Sequence, residues 1–480
     1  MISFTCSLVA LLLGYLLYGK LVTRLFGISP DRPTPCYTKA DGVDYMPMPN
    51  WKVFLIQFLN IAGTGPIFGA IMGILFGPAA YLWIVFGCIF AGAVHDYLCG
   101  MISIRKGGAS VPEMVGDELG STVRVVMRVC SIVLLILVGA VFTRTPADLL
   151  ASMTAGWGWT SPELWITVIF VYYLLATLLP INALIGKIYP LFGIALLVMA
   201  VGVGVGIYTH SGHLPELTEP LTGNHPAGQP VFPMLCITIA CGAISGFHST
   251  QTPMMARCIK NERYGRRIFY GAMIAEGVVA LIWAGAAIKF ASLLPGVGEG
   301  RTAYQALADM GTPAVVVGTI CKGWLGTVGA VLAVLGVVAA PVTSGDTAFR
   351  SARLIATESL HIRRNNILTR LLVCLPFFAI AVGLMFVDFN ILWRYFGWFN
   401  QTLATIMLWT AAVWMARRGK CYWLPFVPAL FMTVVCASYI LVADEGFSIP
   451  LRIGLSIGVA LMLCLGVFFM LSLKRLRNNH

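Results

Sequence analysis

The chain has 480 residues, of which 58% are hydrophobic and only 11% are charged. Soluble globular proteins carry about 25% charged residues, so a chain this poor in charge could not cover a water-exposed surface. The net charge of +12 is a possible sign of nucleic-acid binding, but the placement of the basic residues, described below, argues against it.

Apolar segments near 20 residues recur along almost the whole chain, and each is long enough to span a hydrocarbon core of about 30 Å. The sequence therefore predicts an all-α polytopic membrane protein. We place about 13 transmembrane helices near residues 2–22, 51–75, 78–103, 124–143, 162–181, 187–209, 232–256, 267–292, 313–340, 367–388, 391–416, 422–443 and 450–474.

Basic residues follow this topology. When the loops between the predicted spans are assigned to alternating sides, 26 of the 32 Lys and Arg fall on one side. The positive-inside rule makes that side cytoplasmic. We therefore predict a multi-pass protein of the cell inner (plasma) membrane with its N-terminus outside and its C-terminus in the cytoplasm.

Two predicted spans contain residues that interrupt helices. The second span contains Asn60–Pro66 (NIAGTGP), and the seventh contains Cys241–Pro253 (CGAISGFHSTQTP). Irregular backbone at membrane depth persists only where protein or a water-filled cavity shields it from lipid. These spans are five apart and so cross in opposite directions. Spans two to six and seven to eleven thus form two inverted five-helix units, the arrangement of many transporters.

This organisation divides the chain into five parts. Residues 1–50 hold the first helix and a cytoplasmic loop, 51–209 the first repeat, and 210–231 an external loop. Residues 232–418 form the second repeat, and 419–480 hold two C-terminal helices.

The broken segments provide the candidate substrate site. Unwound carbonyls coordinate cations, and the N-termini of half-helices attract carboxylates. The alternative is that each break is only a packing kink. The candidate substrate-binding residues are Gly63, Thr64, Gly65, Gly246, His248, Ser249, Thr250 and Gln251.

Ionisable residues within spans are candidates for ion coupling, because they are costly at membrane depth. Asp96 and Glu276 are candidate proton carriers, with His95 as a possible relay; the alternative for Glu276 is a structural ion pair with Lys322. Thr343, Ser344 and Asp346 close the predicted ninth span. Hydroxyls there, facing the carbonyls of the first broken helix, suit Na⁺, and Asp346 suits a proton. The alternatives are a helix cap and an Asp346–Arg350 pair.

Motifs of enzymes are weak. A G-x-S-x-G match at Gly454–Gly458 lies in the last span, without the strand–turn–helix setting that it requires. The 13 cysteines lie mostly in spans and include no C-x-x-C pair, so we expect packing roles and no metal site. The sequence predicts no enzyme and no cofactor, apart from H⁺ or Na⁺ as a coupling ion.

Several motifs resemble the carbon starvation protein A (CstA) family. Asn60–Gly73 resembles its IAGAGP helix, and Ala91–Tyr97 is similar to its AGAVQD run, with His95 in place of glutamine. Matches to further family motifs, in chain order, are Gly246–His248 (GFH), Tyr270–Met273 with Glu276 (YGAMLxE), and Asp346–Thr347 with Arg350 (DxGTR). The resemblance implies a bacterial inner-membrane transporter of peptides or, in some members, of pyruvate by proton symport.

We therefore expect a LeuT-like core of two inverted five-helix repeats that works by alternating access. Our first expectation for the function is a symporter that imports short peptides under carbon starvation. Proton-coupled transport of pyruvate or another small carboxylate is the second. A channel or a membrane sensor stays open. The expected partners are this small-molecule substrate and the lipid bilayer, with no nucleic acid.

Overall fold

The computed structural model describes residues 1–42, 44–154, 156, 158, 161–178, 189–360 and 367–478. This part of the chain is helical, apart from an isolated β-bridge between Val297 and Arg301. Its α-helices are α1 (Ile2–Leu13), α2 (Gly19–Phe26), α3 (Pro35–Thr38), α4 (Asn50–Ile61), α5 (Gly65–Gly73), α6 (Ala79–Leu82), α7 (Ala93–Arg105), α8 (Val111–Leu119), α9 (Ser121–Met153), α10 (Pro162–Leu178), α11 (Tyr189–Thr209), α12 (Val231–Thr238), α13 (Gly246–Ala256), α14 (Gly271–Ala291), α15 (Ala303–Asp309), α16 (Pro313–Ala333), α17 (Ala339–Ser359), α18 (Ile367–Leu384), α19 (Phe389–Arg417), α20 (Trp423–Val442) and α21 (Leu451–Asn478).

Seven helices of the described chain are long and apolar enough to cross a membrane, or eight if the bent pair α4–α5 is one span. The other predicted spans fall on helices that are shorter, broken or richer in polar residues, such as α10 and α12–α13. Length and composition therefore support an all-helical membrane protein with seven to eight candidate spans.

The first predicted break is present. Helix α4 ends at Ile61, α5 begins at Gly65, and the two are bent by 45°. Pro66 stands in the first turn of α5, where a missing N–H leaves no hydrogen bond unmade. The Thr64 carbonyl accepts hydrogen bonds from the first free N–H groups of that helix.

The second break lies slightly earlier than the sequence indicated. Residues 239–245 between α12 and α13 are unwound, whereas Gly246–Ala256 is helical. Gly242 has a φ of +93°, and a Cβ there would lie 2.5 Å from the Ala280 Cβ. Glycine is therefore required at this position both by conformation and by space.

The two breaks pack directly against each other. A Cβ on Gly65 would lie 2.4 Å from the Cys241 Sγ, so the first residue of α5 touches the unwound segment before α13. Eight of the nine residues of α5 and ten of the eleven residues of α13 are buried, whereas only 17% of the most apolar stretch of Leu451–Leu473 is buried. The broken helices therefore lie in the centre of the molecule, and the last helix lies at its edge.

The bounds of the predicted ninth span, 313–340, are wrong. Gly326 has a φ of +58° that divides α16, and helical structure then continues through a π-helical segment, Val334–Val338, and α17 to Ser359. Thr343–Asp346 therefore lie inside α17 and close no helix, so the alternative interpretation of Thr343 or Ser344 as a helix cap is wrong too.

Candidate substrate and coupling site

Four ionisable side chains form a continuous buried chain beside the second break. His248 on α13 places its Nδ1 2.9 Å from the Asp96 Oδ2 on α7. Its Nε2 lies 3.3 Å from the Glu276 Oε2 on α14, an ion-pair distance without the angle of a hydrogen bond. The His95 Nδ1 lies 2.8 Å from the Asp96 Oδ1. All four side chains are 0% exposed. The structure thus brings together residues that lie 180 positions apart in the sequence.

The charge balance of these four side chains depends on the imidazole of His248. A buried carboxylate is costly unless it is paired, and this ring lies between two of them. A protonated imidazole carries two N–H donors, whereas a neutral one carries a single donor. One proton gained or lost at this ring therefore changes the interaction with Asp96 or with Glu276.

The alternative pairing of Glu276 with Lys322 is wrong. Lys322 is exposed on α16, whereas Glu276 is buried and accepts a hydrogen bond of 3.1 Å from the Gly242 N–H. Similar depth in two spans does not fix which helix faces align, and the Glu276 face of α14 is turned to the unwound segment 239–245.

Asn400 on α19 holds the start of α13, a role that the sequence analysis missed. Its Oδ1 accepts hydrogen bonds from the Ser245 Oγ at 3.0 Å and the Phe247 N–H at 2.6 Å. Asn400 is fully buried. The signal available in the sequence was the adjacent amide pair Asn400–Gln401 in the middle of a mostly apolar span.

The first break has a different character. Gly63 and Thr64 lie between α4 and α5, and the side-chain atoms of Asn60 and Thr64 are buried without a hydrogen-bond partner among the described residues. The Ser344 hydroxyl on α17 lies 3.3 Å from the Leu59 carbonyl oxygen and 3.5 Å from that of Asn60. Oxygen atoms from two helices thus converge here.

The other polar residues predicted on α13 mostly bind their own helix. Ser249 and Thr250 donate to the carbonyls of Gly246 and Phe247, at 2.6 and 2.7 Å. Gln251 donates to the Thr250 hydroxyl, and its Oε1 has no hydrogen-bond partner in the described structure. Of the predicted residues on this helix, His248 is therefore the one that contacts charged groups.

Thr343 and Asp346 are also buried on α17. The Thr343 hydroxyl donates to the Ala340 carbonyl at 2.8 Å. The Asp346 Oδ2 lies 3.7 Å from the Arg350 Nη2, which is the i,i+4 pair that we weighed against an ion-coupling role.

Cys241, His248 and Glu276 offer ligand atoms that lie within 4.8 Å of one another. The two ring nitrogens of His248 already face Asp96 and Glu276, and we assign this cluster no metal ion.

Two cavities of unequal size lie at opposite ends of the broken helices. The Trp393 cavity, of about 580 Å³, is lined by the end of α5, the loop before α12 and the start of α19. The Ser351 cavity, of about 30 Å³, is lined by the far end of α13, by Ser110 and by Ser351. The first has room for a small organic molecule and the second for about one water. The larger of these two cavities therefore lies where α5 finishes.

Comparison with known families identifies the chain. Residues 1–162, 151–297 and 296–438 match the family described as carbon starvation protein CstA. The chain belongs to the CstA family. This membership confirms the resemblance drawn from the motifs and places the protein among transporters rather than enzymes.

Three relatives of this CstA-family chain illustrate the range. A membrane protein of Haemophilus influenzae is 46% identical over 60% of this chain and 91% of its own length. The peptide transporter CstA of Bacillus subtilis is 29% identical over 58% of this chain and 56% of that protein. The pyruvate/proton symporter BtsT of Escherichia coli is 30% identical over 56% and 46%. The chain thus spans about half the length of these two named transporters.

The fold of this CstA-family chain is similar to that of a manganese transporter from Eremococcus coleocola. The TM-score is 0.57 at 14% sequence identity, and the match covers 89% of this chain and 94% of that one. A likeness at this identity concerns the fold alone.

Proposed function

We propose that this CstA-family protein is a symporter that imports short peptides by alternating access, in a bacterial inner membrane and under carbon starvation. The observation that carries the proposal is the meeting of two broken helices, at Gly65 and Cys241, beside the buried chain from Asp96 to Glu276. Broken helices at a central site are the arrangement that transporters use to bind substrates and ions.

The proposed topology has about 13 spans, with the N-terminus outside and the C-terminus in the cytoplasm. Its core is LeuT-like, with spans two to six and seven to eleven as inverted repeats. The positions of the two buried carboxylates support this proposal, because Asp96 and Glu276 lie on the second helix of their respective units and approach His248 from its two ring nitrogens.

The proposed substrate site lies between the breaks. In the structure Gly65 and Cys241 are in contact, so binding requires the two segments to separate. The carboxylate of the substrate would then meet the N-terminus of α13 and His248, where N–H groups and an imidazole favour negative charge.

Two arrangements could couple an ion to this movement, and they make different predictions. The buried chain of His95, Asp96, His248 and Glu276 supports a proton, because its hydrogen bonds depend on the charge of an imidazole. The Ser344 hydroxyl, close to two α4 carbonyls, supports Na⁺. Uptake driven by a proton gradient would support the first arrangement, and uptake driven by a sodium gradient would support the second.

A small carboxylate such as pyruvate is the second candidate substrate. It is favoured by the relative BtsT, named as a pyruvate/proton symporter, and by a site with one imidazole to receive a carboxylate. A peptide needs a further acidic group for its amine.

The decisive experiment is uptake into proteoliposomes of labelled L-alanyl-L-leucine and of labelled pyruvate, each under an imposed proton or sodium gradient. We expect accumulation of the dipeptide above equilibrium, driven by one of the two ions. Accumulation of pyruvate instead of the dipeptide would identify pyruvate as the substrate. Equilibration without accumulation would indicate a channel or uniporter. Liposomes without protein and liposomes treated with an ionophore are the controls.

A further inference from the structure

The Trp393 cavity has a chemical character that the central site does not share. Aromatic rings of Phe76, Phe389 and Trp393 line it, together with one acid, Asp388, and one guanidinium, Arg394. Its volume of about 580 Å³ falls within the range of small-molecule sites. A cavity with an apolar wall and two opposite charges fits a ligand that is apolar in the middle and charged at both ends.

The guanidinium of Arg394 is held in place from behind. Its Nη1 donates to the Glu445 Oε2 at 3.0 Å, and Glu445 in turn accepts a hydrogen bond from the Tyr439 hydroxyl. Glu445 is 7% exposed, whereas Arg394 is 38% exposed. No described residue accepts a hydrogen bond from the Nη2 or Nε of Arg394, so one edge of the guanidinium remains for a ligand. Fixing an arginine in this way lowers the entropy lost on binding a carboxylate.

Asp388 is likewise held in position, because one of its two carboxylate oxygens accepts hydrogen bonds from the backbone. Its Oδ1 accepts hydrogen bonds from the N–H groups of Asn390 and Ile391 and so caps α19. Among the described residues, none donates to its Oδ2. The carboxylate is therefore oriented by the cap, with capacity left for a cation.

The spacing of the two residues along α19 favours a ligand whose two charges are separated. Asp388 and Arg394 are six residues apart, so their backbone positions lie about 9 Å apart along the helix axis at 1.5 Å per residue. A dipeptide of two extended residues spans about 7 Å, and a hydrogen bond at each end adds to its reach. The amine and the carboxylate of a single amino acid share one Cα, and pyruvate has no amine.

We propose that the Trp393 cavity is a second binding site that takes a short peptide, with its carboxylate on Arg394, its amine on Asp388 and its apolar side chains against Trp393 and Phe389. This proposal rests on the proposed function, since it gives the imported peptide a first binding site before it reaches the broken helices. The cavity lies at the end of the broken helices where α5 finishes.

Equilibrium binding to the purified full chain in lipid nanodiscs tests the site without requiring transport. The probes are L-alanyl-L-leucine, its C-terminal amide and its N-acetyl form. The wild type should prefer the free dipeptide to both blocked forms by about 10-fold or more, because hydrogen bonds to charged groups are worth about 1.5–3 kcal/mol each.

Two variants each remove one preference. Arg394→Gln, whose amide can still donate to Glu445, should bind the acid and the amide alike. Asp388→Asn, which can still cap α19, should bind the amine and the N-acetyl form alike. Arg452→Gln is the charge-matched control, because Arg452 is exposed at the start of α21 and does not line the cavity, and it should keep both preferences.

The site is contradicted if Arg394→Gln still prefers the acid and Asp388→Asn still prefers the amine. Absence of dipeptide binding to the wild type at millimolar concentration would overturn it as well. A protein that shows these preferences but never accumulates dipeptide would support the site and contradict peptide import, so the two failures are distinguishable.

Discussion

The two broken helices differ in how their polar groups are satisfied. At the second break, the Gly242 N–H, Ser245 and the Phe247 N–H all bind buried side chains. At the first, the side chains of Asn60 and Thr64 are buried and make no hydrogen bond within the described structure. These three groups of the second break are bound by buried side chains, whereas the polar side-chain atoms of Asn60 and Thr64 at the first break are unused.

This difference indicates that the two breaks have different roles. A buried polar group left unpaired costs about 1–3 kcal/mol, and native proteins keep such groups chiefly where a function, an ion or water uses them. We infer that the second break holds the buried charges in place, while the first supplies the groups that a ligand or ion completes.

The largest effect on uptake should come from a change in the buried ionisable side chains at the second break. His248→Ala removes the group between Asp96 and Glu276, and breaking a buried ion pair costs about 3–5 kcal/mol. We expect accumulation of dipeptide in proteoliposomes to be abolished, while insertion into the membrane is retained. The exposed His213 provides the control, since His213→Ala should transport normally.

Uptake at the wild-type rate by His248→Ala would remove this residue from the site and leave the second break a purely structural feature. His248→Gln, which retains a donor for one carboxylate, separates loss of the proton-binding group from loss of packing. If the imidazole titrates during transport, the glutamine variant should insert and remain folded but fail to accumulate dipeptide.

The sequence was sufficient for the breaks but not for the contacts around them. Glycine and proline at Asn60–Pro66 marked the bend at the first break, because these residues interrupt helices wherever they occur. The partner of Glu276 could not be found in this way. Whether it met Lys322 or His248 depended on how α14 is rotated against neighbouring helices, which depth along a span does not determine.

The same limit explains why the partners of Asn400 could not be predicted from the sequence. An amide inside a span is a visible signal, but its partners at Ser245 and Phe247 lie more than 150 residues away. By contrast, the sequence led us to expect hydroxyls of Thr343 and Ser344 opposite the carbonyls of the first broken helix. The structure places the Ser344 hydroxyl beside the carbonyls of Leu59 and Asn60, whereas the Thr343 hydroxyl donates to the Ala340 carbonyl of its own helix.

The next effect tests the contact between the breaks. Gly65→Ala should destabilise the protein by about 1–3 kcal/mol, the cost of overpacking a well-packed core, because its Cβ would lie 2.4 Å from the Cys241 Sγ and 2.5 Å from the Cys241 Cβ. Thermal unfolding of the purified protein measures the change. Cys241→Gly removes both clashing atoms, so the double variant should recover most of the loss; failure to recover would mean that the two segments do not touch as described.

The smallest effect separates the two breaks by their hydrogen bonds. Ser245→Ala removes a donor from Asn400 and should lower stability by about 0.5–1.5 kcal/mol. Thr64→Val is close to isosteric and removes a hydroxyl that has no hydrogen-bond partner among the described residues. Stability should therefore be unchanged or slightly higher, because an unpaired polar group is replaced by an apolar one. Uptake should nevertheless fall in Thr64→Val, since the lost hydroxyl belongs to the group that the ligand or ion completes. Thermal unfolding and uptake should be measured on both variants. Equal destabilisation by the two substitutions, or full uptake by Thr64→Val, would mean that the polar groups of the first break are satisfied in the same way as those of the second. The two breaks would then have no difference in role.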